Sequence, residues 1–317
     1  MSRWTERRSR WNWRWSNVDG TRFQPGSRLQ PASRSFGAGF ALLLFLLFLG
    51  SGCSQTPDEG GILLMSGAAN QPPISEIAAL YERETGVPVH LVYGGGGTLL
   101  SQIELSHKGD VYLPGSPDFI YRAQKKGLIF ADSIRPVCYL VPAIIVPRGN
   151  PGGITSLEDL GREGVRVGIG NPECVCIGVY AVELLAANGL LERVMKNVVV
   201  YGGSCAKTVN LVLLGRVDAI IGWRMLKSWN PDKLECVPIS KSALPRISYV
   251  PVSIPTCVSN RKQAEHFIAF VLSEKGQRVY RRWGYLTDRR KALALARSGA
   301  AVGGQCVVPK SLPRIAQ

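Results

Sequence analysis

From Gly61 onward the chain repeats one unit four times: an apolar, β-prone run, a turn of small residues, then a helical pattern. "GILLM" passes through "SGAANQPP" into "ISEIAALYERETG", and "VPVHLVY" through "GGGGT" into "LLSQIELSHKG". "GVRVGIG" passes through "NPECVCIG" into "VYAVELLAANG", and "NVVVY" through "GGSCA" into "KTVNLVLLGR". Strands alternating with helices predict an α/β chain with largely parallel sheets. In the first helix Ile74, Ile77, Ala78 and Tyr81 share one face, as a 3.6-residue period requires. Prolines 136, 142 and 147 mark one crossing near 135–150, and "ISKSALPRISYVPVSIP" marks a second near 239–255. Two crossings imply that the chain leaves one lobe, builds a second and returns. The first lobe is expected at 61–140 with 245–310, and the second at 141–244. The tail "QAEHFIAFVLSEKGQRVYRRWGY" reads as one amphipathic helix packed back on the first lobe.

The turns raise the question of what they hold. "YGGGGTLL" is not a P-loop, because no lysine follows Gly97, and it does not fit G-x-G-x-x-G, whose last glycine would fall on Leu99 or Leu100. A helix start exposes about four unpaired backbone N–H groups and roughly half a positive charge. Small turn residues let a ligand approach that backbone, so several starts aimed at one cleft make an anion site without an arginine. Thr98 is placed to cap a helix beginning at Leu99. The competing explanation is that tight strand-to-helix turns need small residues whatever their role.

The formal charge of +15 would suit nucleic acid, but residues 1–40 alone carry eight arginines against Glu6 and Asp19, and the remainder is spread along the chain. It reads as a solvated basic face, with no nucleic-acid partner. Residues 1–35 form a basic leader, consistent with a translation start set too early. Residues 36–53, "FGAGFALLLFLLFLGSGC", read as a signal-peptide core ending in small residues and a cysteine. Cys53 is the expected lipid-modified residue of a bacterial lipoprotein, although Gly50 stands where a leucine is usual. An uncleaved anchor or an ordinary cleaved signal are the alternatives. Residues 54–60 form a tether, and the rest of the chain lies outside the cytoplasm.

Apart from Cys53, seven cysteines remain: Cys138, Cys174, Cys176, Cys205, Cys236, Cys257 and Cys306. An odd number outside the cytoplasm leaves at least one unpaired within the chain. Cys174-Val-Cys176 is not C-x-x-C, and three histidines do not make a zinc site, so no metal or cofactor is expected. Cys174, Cys176 and Cys205 lie in strand-to-helix turns, where a thiol tends toward thiolate. Thiolates would repel an oxyanion, so the thiols are a disulfide or protonated, or the cargo is itself thiophilic, a soft metal or metalloid. No G-x-S-x-G or H-E-x-x-H is present, and Asp110 and Asp118 read as structural, so no catalytic residue and no enzyme is expected.

"EIAALYERETGVPV", "YGGGGTLLSQIE", "GDVYLPGSPDF", "VPRGNPGGITSLEDL", "NPECVCIGVYAVELL" and the tail together resemble the molybdate- and tungstate-binding proteins of ABC importers, from about Gly61 to Tyr285. The resemblance implies a two-lobe type II periplasmic-binding fold, hinge-connected, that closes on a tetrahedral oxyanion. It also implies delivery to an ABC permease by a monomeric protein. Carried over by motif, the ligand-facing positions are Ala69 with Asn70, Gly96 with Thr98, Ile177, Cys205 and Trp223, with Gly97, Cys174 and Cys176 beside them. Family members usually carry serines where Ala69 and Gly96 stand and a tyrosine where Trp223 stands. Asn70, Ser66, Ser204 or the Trp223 indole N–H could supply the missing donors. A sensor that presents its ligand to a membrane receptor is the other function these residues allow.

Overall fold

The computed structural model describes residues 60–305, so the leader, the apolar run, Cys53 and Cys306 lie outside the described residues. The chain begins with β1 (Ile62–Gly67), α1 (Gln71–Thr85), β2 (Val89–Gly94), α2 (Gly96–Ser106), β3 (Val111–Leu113) and α3 (Pro117–Lys125). β4 (Arg135–Leu140) and β5 (Pro142–Pro147) follow, separated only by Val141. Next come β6 (Val167–Gly170), α4 (Cys176–Ala187), α5 (Leu191–Met195), β7 (Val198–Gly202), α6 (Cys205–Leu213), β8 (Ala219–Trp223) and β9 (Leu234–Pro238). β10 (Arg246–Val252) leads to α7 (Arg261–Leu272), α8 (Glu274–Arg282), α9 (Arg289–Leu293) and β11 (Ala301–Val302).

This is a two-lobe α/β protein of the periplasmic-binding type. One lobe carries the parallel sheet β2-β1-β3, and the other a five-stranded sheet in the order β7-β6-β8-β5-β9. The second sheet is mixed: β6 runs parallel to β7 and β8, whereas β5 runs antiparallel to β8 and β9. The repeated unit predicts largely parallel pairs. β5 departs because it enters straight from the crossing, without the helix that would turn it parallel. The two crossings pair with each other, β4 antiparallel to β10 with a register shift at Val250/Pro251 where Pro251 has no N–H to give.

The central strands of each sheet are buried on both faces, as strands covered by helices should be, while the edge strands β2, β7 and β9 are partly exposed. β8 is buried along its whole length, and β5 is buried except at Pro147. Asp110 is structural, as expected. Its carboxylate accepts from the Leu63 N–H at 2.7 Å and from the Ser259 N–H and hydroxyl at 2.9 and 2.6 Å, tying β1 to the returning chain.

The tail is two helices where the pattern predicts one. Ser273 ends α7 with ψ 162° and caps α8, its hydroxyl accepting from Gly276 N–H at 3.4 Å. Both helices pack on the first lobe. Tyr81 of α1, 1% exposed, donates to or accepts from His266 Nδ1 at 2.9 Å and meets the Phe267 and Phe270 rings edge-on at 5.1 and 5.3 Å. Removing that ring opens a cavity between α1 and the returning helix. Tyr81→Ala is expected to cost about 3–5 kcal/mol of stability, measured as a fall in the urea midpoint.

Candidate functional site

Four helical starts close on one crevice. β1 ends at Gly67 and runs through a 3₁₀ turn, Ala68–Asn70, into α1, whose first turn holds prolines that need no N–H partner. β2 ends at Gly94, and Gly95 precedes α2 with an extended φ/ψ of −69°/143°. On the other lobe, Val175 precedes α4 and Ser204 caps α6, accepting from the Lys207 N–H at 3.2 Å. The Gly97 N–H donates across the crevice to the Cys174 carbonyl at 3.0 Å. A Cβ on Gly95 would stand 2.7 Å from that oxygen and 3.1 Å from the Gly203 carbonyl. A Cβ on Gly115 would stand 2.5 Å from Cys176 Sγ and 3.4 Å from Ala69 Cβ.

These contacts revise the sequence reading of the glycine run. The space it leaves is filled by the facing lobe's backbone, and Gly96 lies under the Phe119 ring. Thr98 does not cap a helix. α2 starts at Gly96, three residues before the expected Leu99, because the glycines take helical angles themselves. The Thr98 side chain is exposed, in an outer pocket with Ser101, Glu104, Arg122 and Lys125.

The other predicted positions are mostly interior. Ser66 and Asn70 are fully buried. The Ser66 hydroxyl donates to the Gly67 carbonyl at 3.3 Å, and Asn70 Nδ2 donates to the Leu113 carbonyl at 3.4 Å. Asn70 Oδ1 and the Trp223 indole Nε1 are buried without a hydrogen-bond partner. Ala69, Ile177, Ser204 and Trp223 are buried, while Gly97 and Cys174 are half-buried.

Among the described residues the cysteines are free in this state: Cys176 and Cys205, both buried, place their sulfurs 3.6 Å apart without a disulfide. The thiolate tendency of a helix start does not prevail at Cys176. The hydrogen bond with Cys205 and then burial push its thiol well above the usual range, outweighing the Trp223 indole and the Ile177 N–H, which favour charge. Trp223 lies near enough to exert that influence without closing a hydrogen bond to the sulfur. Cys176 therefore presents a protonated sulfur, which does not oppose an anion.

Several supporting residues escape the sequence reading. Tyr285 donates its hydroxyl to the Ala69 carbonyl, and Tyr112 donates to the Gly96 carbonyl at 2.8 Å. Both hydroxyls fix carbonyls at helical starts, and burial raises both phenols well above their ordinary range. Behind Trp223, the Tyr180 ring meets it edge-on at 5.1 Å. The Arg246 guanidinium lies 3.8 Å over Tyr180, donates to its hydroxyl at 3.0 Å and pairs with Glu183 at 2.5 Å and Asp118 at 3.6 Å. Burial opposes its charge, but Tyr180, Asp118 and Glu183 hold it above its ordinary value. Asp118 and Glu183, carried on helices of opposite lobes, are thus both matched by one buried cation. Sequence spacing gives no sign of this cluster, since its members come from three elements, with Arg246 63 positions from Glu183 and 66 from Tyr180.

Among the described residues no group of three or more His, Cys, Asp or Glu side chains is placed to hold a metal. The family model of the bacterial extracellular solute-binding proteins matches residues 62–286. The chain belongs to this family. It is similar to a Bacillus subtilis protein, YvgL, assigned as an ABC transporter substrate-binding lipoprotein, at 24% identity over 253 residues, 78% of this chain and 96% of that one. It is also similar to the Azotobacter vinelandii molybdate-binding protein ModA, at 26% identity over 182 residues, 56% of this chain and 71% of ModA. In fold it is like the sulfate-binding protein SubI of Mycobacterium tuberculosis, with TM-score 0.65 and 17% identity, over 77% of this chain and 93% of SubI. The protein is accordingly an extracytoplasmic solute-binding protein of the ABC-transporter type, not an enzyme, and it serves a membrane permease.

In this solute-binding protein the tyrosine supports are open to test. Tyr285→Phe leaves the buried Ala69 carbonyl without its donor, which is expected to cost about 1–3 kcal/mol. Chemical denaturation followed by tryptophan fluorescence measures it.

Proposed function

We propose that the protein captures a small tetrahedral oxyanion, molybdate or tungstate, between its lobes and delivers it to an ABC permease. The observation that carries this reading is the meeting of four helical starts, two from each lobe, on one crevice. We assign the lobes to 61–140 with 245–310 and to 141–244. We assign ligand contact to the backbone and side chains around Ala69, Asn70, Gly96 and Gly97 on one lobe and Cys176, Ile177, Ser204, Cys205 and Trp223 on the other. Ser66 and Cys174 support these turns from behind and beside, and Thr98 lies at the outer rim. The protein acts as a monomer tethered through a lipidated Cys53.

Opening would separate the Gly97 N–H from the Cys174 carbonyl and free helix-start amides for the anion. The ligand then favours whichever lobe arrangement offers it more donors, which is a population shift and involves no bond chemistry. The protonated thiol of Cys176 is compatible with an anionic guest, whereas a thiolate would not be. Discrimination among anions would rest on cavity size and donor number. The names of the relatives support this choice: ModA is molybdate-binding by name. SubI, a sulfate-binding protein by title, shares the fold.

Calorimetric titration with molybdate, tungstate, sulfate and phosphate tests the reading. Molybdate or tungstate is expected to bind most tightly, and no heat from any of the four would overturn it. Gly95→Ala, whose added methyl would meet the Cys174 carbonyl, is expected to weaken binding roughly tenfold or more, about 1.4 kcal/mol, by hindering closure. Its far-ultraviolet circular dichroism should be unchanged.

A further inference from the structure

Besides its backbone amides, the crevice contains a pair of thiols. Cys176 and Cys205 begin α4 and α6, and their sulfurs lie 3.6 Å apart, reduced and buried. Cys176 Sγ also faces the opposite lobe, where it would crowd a Cβ on Gly115. A soft metal ion held by three or four protein donors is not served here, since no such group exists among the described residues. A trivalent metalloid hydroxide needs only two thiols, because it keeps one hydroxyl of its own.

We propose that Cys176 and Cys205 form a dithiol site for a trivalent metalloid hydroxide of the arsenous acid class, within the interlobe crevice. The inference rests on the solute-binding reading of that crevice and not on the choice of oxyanion. In the binding step two S–H and two As–O bonds break and two As–S bonds form. Each thiol proton leaves with a hydroxyl as water, and the arsenic stays trivalent, so no oxidant or reductant enters. A neutral guest that loses water on condensing brings no charge into a buried site, where it would be costly. The remaining hydroxyl both donates and accepts. The crevice region holds one buried group of each complementary kind without a partner, the Trp223 indole N–H and Asn70 Oδ1. A fully deprotonated oxyanion could satisfy only the first.

Native mass spectrometry of the reduced exported chain with sodium arsenite tests the proposal. The expected result is one adduct with the mass of arsenous acid less two waters, accompanied by loss of two titratable thiols. Cys176→Ser and Cys205→Ser should each lower the adduct at least tenfold, while Cys174→Ser should retain it, with thermal melts reporting the fold of each. Should a variant fail to fold, peptide mapping of the wild type decides, since arsenite must protect Cys176 and Cys205 from alkylation and leave Cys174 reactive. No adduct on the reduced wild type, or protection of a different cysteine pair, overturns the proposal. Parallel titration with molybdate separates the two readings: an adduct without molybdate binding upholds the dithiol site and removes the oxyanion, and molybdate binding without an adduct does the opposite.

Discussion

The arrangement depends on how closely two backbones approach. The Gly97 amide reaches the Cys174 carbonyl at 3.0 Å only because Gly95 and Gly97 bring no side chain to the contact. A backbone hydrogen bond between lobes is short and directional, so it sets their separation and brings the starts of α2, α4 and α6 to a common crevice. Its net contribution is modest, about 1 kcal/mol, because in an open arrangement water can satisfy both groups. That suits a device that must open as well as close.

Around this contact the protein holds its turns in place with buried hydroxyls. Tyr112 and Tyr285 each donate to a carbonyl at a helical start, and burial keeps both phenols protonated donors at any ordinary pH. The Arg246 cluster has a similar role at longer range. A strand from the crossing carries a cation that meets Asp118 on α3 and Glu183 on α4, linking elements of both lobes next to the hinge strands. A buried guanidinium with paired carboxylates offers geometric specificity more securely than net stability.

Thiol chemistry shows how environment overrides local tendency. Cys176 occupies a helix start, which favours thiolate, but it is 3% exposed and hydrogen-bonded to a second thiol. Desolvation and the neighbouring sulfur prevail over the helix dipole, whose effect is small by comparison. Cys176 is therefore held protonated. That permits an anionic guest and equally suits a neutral one that condenses with sulfur.

The repeated strand, small turn and helix determined by themselves that this chain is α/β with its turns gathered at strand ends, and the motifs around "GGGGTLLSQIE" and "NPECVCIG" carried the family. Local sequence suffices there because periodicity and turn chemistry are properties of neighbouring residues. It also marked Ala69, Gly97, Cys176 and Cys205, which the fold brings into one region. It misplaced the α2 start at Leu99 and made one helix of the tail, since a glycine's or serine's choice between turn and helix depends on what packs against it. Only the tertiary structure decided that the glycine run receives the opposite lobe, that two thiols meet, and that Tyr285 and Arg246 stand behind the crevice. Those facts join residues 29 to 216 positions apart, and no local pattern encodes a contact that exists only once the chain has crossed between lobes and returned.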